Sequence, residues 1–150
     1  MAWTDAQQSA IDSRGENLLV SAAAGSGKTA VLVQRIIDIV LNEKVDVQNL
    51  LIVTFTNAAA AEMKDRIQKM LMQRMLDNPK ESHYLTKQIQ NLPRASISTM
   101  HSFCIDILRR NFHMLDLDPS FKIANNALVS IMKTQAMESL FDEAYDSDDA

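Results

Sequence analysis

Apolar positions along this chain change period several times, and each change marks an element. Asn17-Leu18-Leu19-Val20-Ser21 is a short apolar run, the pattern of a buried strand. A second run is Leu50-Leu51-Ile52-Val53-Thr54, and the weaker Ala95-Ser96-Ile97-Ser98 takes the place of a third. Elsewhere the spacing is helical. Val31, Leu32, Arg35, Ile36, Ile39 and Val40 form a mostly apolar stripe reaching Leu41. Ala58 to Leu76 is rich in Ala, Met, Lys and Arg, all strong helix formers, and Pro79 stops it. Helices are also predicted at Tyr84–Gln90, ending before Pro93, and at Met100–Phe112. The last, Ala127–Tyr145, carries apolar residues at Leu128, Ile131, Met132, Leu140, Phe141 and Ala144. At the start, Thr4 or Asp5 caps a short helix through Ile11, which Gly15 ends. Pro119 breaks the chain before an extended Phe121-Lys122-Ile123. Strands alternating with helices predict an α/β fold with a parallel sheet covered on both faces.

Composition narrows the class. At 150 residues and 47% hydrophobic content the chain can bury a core. No apolar run approaches the roughly 18 residues of a membrane span, and the N-terminus lacks a basic-then-apolar signal pattern. The single cysteine, Cys104, excludes an internal disulfide framework and fits a reducing cytoplasm. Net charge is −4, but 13 of the 15 Lys and Arg precede Asp116, against 11 of the 19 Asp and Glu. An anionic partner should therefore meet the first part of the chain, and the acidic end is a poor nucleic-acid surface. The composition break near Asp116–Pro119 suggests a boundary, with residues 1–115 and 116–150 as separate regions. The acidic ending reads as a cut or frayed end.

Two of the three glycines fall in one segment, Ala22-Ala23-Ala24-Gly25-Ser26-Gly27-Lys28-Thr29. It fits the Walker A pattern of nucleotide phosphate loops, with Ala22 in place of the usual first glycine. Gly25 and Gly27 let successive backbone N–H groups face an anion, and the following helix presents its positive end. Lys28 supplies a mobile cation for β and γ phosphates, and Thr29 a hydroxyl for Mg²⁺. The bland alternative is a Gly-Ser turn before a helix capped by Ser26. A preceding strand and a following helix favour nucleotide binding.

Such a loop does not separate kinases, GTPases, transporters and helicases. Three further segments do. Trp3-Thr4-Asp5-Ala6-Gln7 resembles the Q motif of superfamily 1 helicases, in which a glutamine reads the adenine edge; Gln7 takes that place, the alternative being a solvated helix residue. Ile52-Val53-Thr54-Phe55-Thr56-Asn57, followed by Ala58 to Ile67, resembles motif Ia. A strand end, an aromatic, small polar groups and a helix start are what sequence-neutral single-strand binding needs: a base can stack on Phe55 while Thr56 and Asn57 meet phosphates. Alternatively Phe55 is core and Asn57 a helix cap. Ser98-Thr99-Met100-His101-Ser102-Phe103-Cys104 resembles the family's Thr-x-His-Ser segment, where Thr99 and His101 face DNA. A capping Thr99 with a packed His101 is the plain reading, and His101 with Cys104 makes a weak metal site.

In order and together, these segments cover most of residues 3–112 and resemble superfamily 1 (UvrD/Rep-like) DNA helicases. Within them the resemblance is strongest to the N-terminal part of the AddA/RexA chain of the ATP-dependent helicase/nucleases. It runs through Trp3-Thr4, Gln7, the alanine-rich loop, Asn57-Ala58 and Met100-His101-Ser102-Phe103-Cys104. Leu117-Asp118-Pro119-Ser120-Phe121-Lys122-Ile123-Ala124 resembles the start of that family's inserted accessory domain, although Asn125-Asn126 stand where an acidic pair is expected. The resemblance implies a RecA-like three-layer α/β/α motor domain, incomplete here, and the start of a helical accessory domain. It also implies 3′-to-5′ translocation on single-stranded DNA driven by ATP and Mg²⁺, work on double-stranded DNA in break repair, a C-terminal nuclease, and a second subunit of the AddB/RexB type. The family's catalytic carboxylates and γ-phosphate arginines have no counterpart before Ala150, so this chain alone is expected to hydrolyse ATP negligibly. The rivals are a different phosphate-loop enzyme, such as a small kinase, and a nonenzymatic nucleotide-dependent module.

Overall fold

The computed structural model describes residues 3–118 and 120–147; the break expected at Pro119 and the last part of the acidic ending, residues 148–150, lie outside them. The chain divides into two compact units, the first ending at Ile107 and the second starting at Leu108. The first holds helices α1 (Asp5–Asp12), α2 (Lys28–Asn42), α3 (Asn57–Asp77) and α4 (Ser82–Asn91). With them runs a parallel pair of strands, β1 (Leu51–Thr54) and β2 (Ser96–Thr99), and β2 passes directly into α5 (Met100–Arg110). The second unit takes the end of α5 and continues to α6 (Asn126–Ser147). Helices therefore outweigh strands among the described residues.

The elements form where local chemistry favours them. Thr56 opens α3, its hydroxyl accepting from Ala59 N at 3.1 Å. The helix ends at Asp77, two residues before Pro79, because the residue preceding a proline is driven out of helical geometry. The strands align in register, Leu51 with Ser96 through Thr54 with Thr99. That pairing points Ile52 and Ile97 the same way, into a cluster with Val33, Ile36, Ile37 and Val40 of α2, Met63, Ile67 and Leu71 of α3, and Leu85 of α4. Each such side chain contributes roughly 1.5–3 kcal/mol on burial. Along α2 the buried stripe includes Val33 and Ile37, while Leu32 is exposed, a shift from the spacing expected of the sequence.

One polar side chain is fully enclosed in this unit. Gln88 of α4 accepts from Val47 N at 2.9 Å and donates to Asp46 Oδ1 at 2.6 Å. Asp46 also pairs with Lys87 at 3.0 Å. Hydrogen bonds from Lys87, then Gln88, hold its carboxyl below the usual aspartate range, outweighing a small opposing desolvation. Tyr84 donates to Val40 O at 2.8 Å, and burial pushes its phenol up.

Two expectations from sequence are corrected. Asn17–Ser21 is not a strand: it has no regular structure, and Leu19 is 91% exposed. A strand needs a lateral neighbour for its backbone N–H and C=O groups, and among the described residues β1 and β2 pair only with each other. Nor is the sheet covered on both faces. Leu51 and Val53, which alternate with Ile52, are exposed.

In the second unit, Arg109 lies over the Phe121 ring at 6.0 Å. Ser120 donates through its N at 2.7 Å and its hydroxyl at 2.6 Å to Asp118, lowering that carboxyl's pKa. Phe121–Ile123 has no regular structure. The apolar residues that the sequence places on α6, among them Leu128, Ile131, Met132, Leu140 and Phe141, are exposed. No helix among the described residues is long and apolar enough to cross a membrane.

Candidate functional site

The loop before α2 has the backbone its sequence implies. Gly25 and Gly27 adopt φ of +79° and +83°, in the left-handed region that glycine enters without strain. Ala22 does not: Lys44 and Asp116 are the only non-glycine residues described with positive φ. The first-glycine position here therefore makes no demand that alanine fails to meet. Gly27 is the residue that caps α2, and no side chain bonds at that cap, so Ser26 is not the capping group. The first N–H groups of α2 are left open for an anion, and the helix's positive end lies at Lys28 and Thr29.

Lys28 folds over the loop, its ammonium donating to Ala22 O at 2.6 Å and Ala23 O at 2.7 Å. Ser26 N donates to Ala23 O at 3.3 Å, closing the turn through Ala24 and Gly25. Thr29, second residue of α2, is exposed. One exposed hydroxyl suits Mg²⁺ carried by phosphate oxygens and water. Among the described residues no group of three or more His, Cys, Asp or Glu could hold a metal by itself, and His101 with Cys104 forms no such site. The residues fit an ion that arrives with its nucleotide.

Gln7 is joined to this loop. Its Oε1 accepts from Thr4 N at 3.0 Å, while the Thr4 hydroxyl accepts from Gln7 N at 3.3 Å, a reciprocal capping box at the start of α1. Its Nε2 donates across to Ser26 O at 3.2 Å. A cavity of about 250 Å³ is lined by Thr4, Gln7, Ser21, Ala22, Ser26 and Lys28, with apolar residues such as Val31. The glutamine and the loop thus share one recess, and no carboxylate lines it.

Across the sheet, the segments expected to meet DNA lie side by side. Register pairs Thr54 with Thr99, so Phe55 and Met100 follow at the same C-terminal edge. Phe55 is fully exposed (104%), which removes the core alternative. Of the neighbouring polar residues, Thr56 caps α3 and Asn57 is that helix's first residue, so the cap lies one position before the asparagine suggested from sequence. Thr99 is 9% exposed, its hydroxyl accepting from Ser102 N at 3.2 Å and lying 2.9 Å from Ser102 Oγ. His101 is exposed on the first turn of α5. This edge presents Phe55, Asn57 and His101 outward and holds Thr99 inward.

Sequence reasoning missed the arginines that tie α1 down. Arg35 donates to Ala10 O at 2.6 Å, and Arg14 bonds Ile11 O at 2.5 Å, Asp38 at 2.9 Å and also Glu43. A cation within the apolar stripe of α2 was the visible signal for Arg35.

Comparison with known proteins agrees with this geometry. The family model described as UvrD/REP helicase N-terminal domain matches residues 3–150. The A-subunit of the ATP-dependent helicase/nuclease of Alkaliphilus metalliredigens is 57% identical over 143 residues, covering 95% of this chain and 12% of that protein. That of Alkaliphilus oremlandii is 56% identical over 144 residues, 96% of this chain and 12% of that protein. That of Geobacillus kaustophilus is 52% identical over 149 residues, 98% of this chain and 12% of that protein. The chain spans about 12% of the length of these relatives. It belongs to the UvrD/REP helicase N-terminal domain family.

Proposed function

We propose that this chain is the ATP-binding part of an ATP-dependent DNA helicase motor. The observation that carries the reading is the hydrogen bond from Gln7 to Ser26 O, which sets a glutamine amide beside a glycine-turned phosphate loop. Phosphates are held by the open N–H groups at the start of α2, by Ala22, Ala23, Ala24, Gly25, Ser26 and Gly27, and by Lys28; the base is read by Gln7. Lys28 leaves the carbonyls of Ala22 and Ala23 for a phosphate when nucleotide enters. Thr29 would hold Mg²⁺ through its hydroxyl, and the ion would supply charge neutralisation at the phosphates. Single-stranded DNA lies along the C-terminal edge of β1 and β2, stacking a base on Phe55 with Thr56, Asn57, Thr99 and His101 in the surrounding surface. The fold proposed for this part is RecA-like and three-layered, with residues 1–115 in the motor domain and 116–150 opening a helical accessory domain.

For a longer protein built on this part, the name its relatives share supports helicase and nuclease activity and a partner subunit. Translocation from 3′ to 5′, action on broken double-stranded DNA, a cytoplasmic location and an AddB/RexB-like partner belong to the same proposal. The chain alone binds ATP and turns it over negligibly, in keeping with a cavity shared by Gln7 and Lys28 whose lining holds no carboxylate. The test displaces a fluorescent adenine nucleotide with ATP, GTP and tripolyphosphate, and separately titrates labelled single-stranded DNA at rising salt. Saturable binding that prefers ATP, with DNA affinity falling as salt rises, is expected. Absence of saturable nucleotide binding overturns the reading, and ATP turnover at the rate of a complete helicase overturns the claim of inactivity.

A further inference from the structure

We infer that Arg35 is a positioning residue for base selectivity, setting where Gln7 stands relative to the phosphate loop. The inference rests on the reading of Gln7 as the residue that meets the adenine edge. Helix α1 has only eight residues, too few to hold its shape alone in water. Its last carbonyls lack partners within the helix, apart from Ser9 O, which accepts from Ser13 N at 3.0 Å. Arg35 supplies the partner for Ala10 O, donating at 2.6 Å, and reaches Ile11 O at 3.4 Å, a carbonyl that Arg14 meets at 2.5 Å. A cation at a helix C-terminus also meets the negative end of its dipole. Ala10 and Ile11 pack on Val31 of α2, with Trp3 against the same small cluster. The C-terminal end of α1 is therefore fixed to α2 by Arg35 over an apolar contact and by Arg14, which bonds both Ile11 O and Asp38 of α2.

Arg35 stands seven residues after Lys28, two turns along α2 on nearly the same face and about 10 Å away. One rigid helix thus carries the phosphate-binding lysine at its start and the anchor of the base-reading helix two turns on. Gln7 sits at the other end of α1, locked by the capping box and bonded to Ser26 O. A tilt of α1 moves Gln7 across the recess while leaving Gly25, Gly27 and Lys28 in place. Losing Arg35 should consequently damage discrimination between bases more than grip on phosphates.

The experiment uses the whole chain with Gln7→Ala, Arg35→Met, Arg35→Lys and the Gln7→Ala/Arg35→Met pair. Each is titrated with a fluorescent adenine nucleotide and competed with ATP, GTP and tripolyphosphate. The expected result is that Arg35→Met lowers the ATP-over-GTP preference about tenfold, the scale of one charge-assisted hydrogen bond, with tripolyphosphate affinity unchanged. Arg35→Lys keeps part of the preference, and the double variant discriminates no worse than Gln7→Ala. Equal loss for ATP, GTP and tripolyphosphate in Arg35→Met overturns the inference, since that is the mark of a general packing role. So do additive losses of preference in the double variant. A preference lost in Gln7→Ala but intact in Arg35→Met refutes the role of Arg35 alone; a preference intact in Gln7→Ala removes the reading of Gln7 and this inference with it. If Arg35→Met does not fold, Arg35→Lys decides, a reduced preference supporting the inference and an intact one overturning it.

Discussion

The two ends of the first unit's functional surface are built on opposite plans. Around the phosphate loop the long polar side chains are engaged: Gln7 bonds Thr4 and Ser26, Lys28 bonds Ala22 and Ala23, and Arg35 bonds Ala10. At the edge of β1 and β2, the threonines are occupied with helix caps while Phe55 stands bare in solvent. The difference follows from what each surface has to recognise. Phosphates are gripped by backbone N–H groups whose directions must be set beforehand, so their surroundings are tied down. A stacking platform for a base of any identity needs only an open ring face on a firm support. The caps on α3 and α5 are that support.

This contrast can be broken by substitution, beginning with the largest effect. Lys28→Ala is expected to weaken ATP-analogue binding about 100-fold, as loss of a charge-assisted contact to phosphate in an ordered loop should. Single-stranded DNA affinity in the same titrations should stay within about twofold, close to the error of the method. A parallel loss of DNA binding would show that the two surfaces are not independent. Phe55→Ala is expected to reverse the pattern, lowering single-stranded DNA affinity about tenfold by anisotropy while ATP binding and melting temperature hold. A drop in melting temperature would mean that Phe55 packs somewhere in solution.

Smaller effects test the support. Thr56→Ala removes the hydroxyl that accepts from Ala59 N and should cost about 1 kcal/mol in denaturant unfolding, with DNA affinity reduced less than in Phe55→Ala. The smallest concerns Asp46. Its carboxyl pKa is depressed in the folded chain, chiefly by Lys87 and then Gln88, so it contributes stability at pH above its unfolded value. That contribution fades as pH falls through the depressed value. Asp46→Asn should flatten the acid side of the stability curve below the ordinary aspartate range and change neither binding reaction. An unchanged acid slope would mean that the Lys87 and Gln88 bonds do not persist in solution.

Much of this was legible in the chain before its fold was known, for reasons that differ by residue. Gly25 and Gly27 announce a left-handed backbone because few other residues adopt it, and Lys28-Thr29 at a helix start completes the chemistry. Long helices such as α3 declared themselves through propensity and the proline beyond them. Asn17–Ser21 misled because apolar character describes what a segment can bury, while a strand also needs a neighbour in register. Phe55 was ambiguous for a related reason: an aromatic after a strand suits a core or a platform equally, and only its position at the tip decides. Arg35 was visible as an intruder in the α2 stripe, but its partners are backbone carbonyls 24 and 25 residues away, which no periodicity encodes.

Leu51 and Val53 lie on the bare side of a sheet whose strands each have an outer edge without a partner among the described residues. Such an edge is a template on which a second copy of the chain can lay its own backbone, and the aliphatic face beside it rewards the contact. The four-residue strands, more than α2 and α3 with their buried faces, are therefore expected to limit the solubility of the purified chain. Concentrated samples should cloud by intermolecular β-pairing while α2 and α3 are still folded, and Val53→Lys is the change to make before any long measurement is attempted.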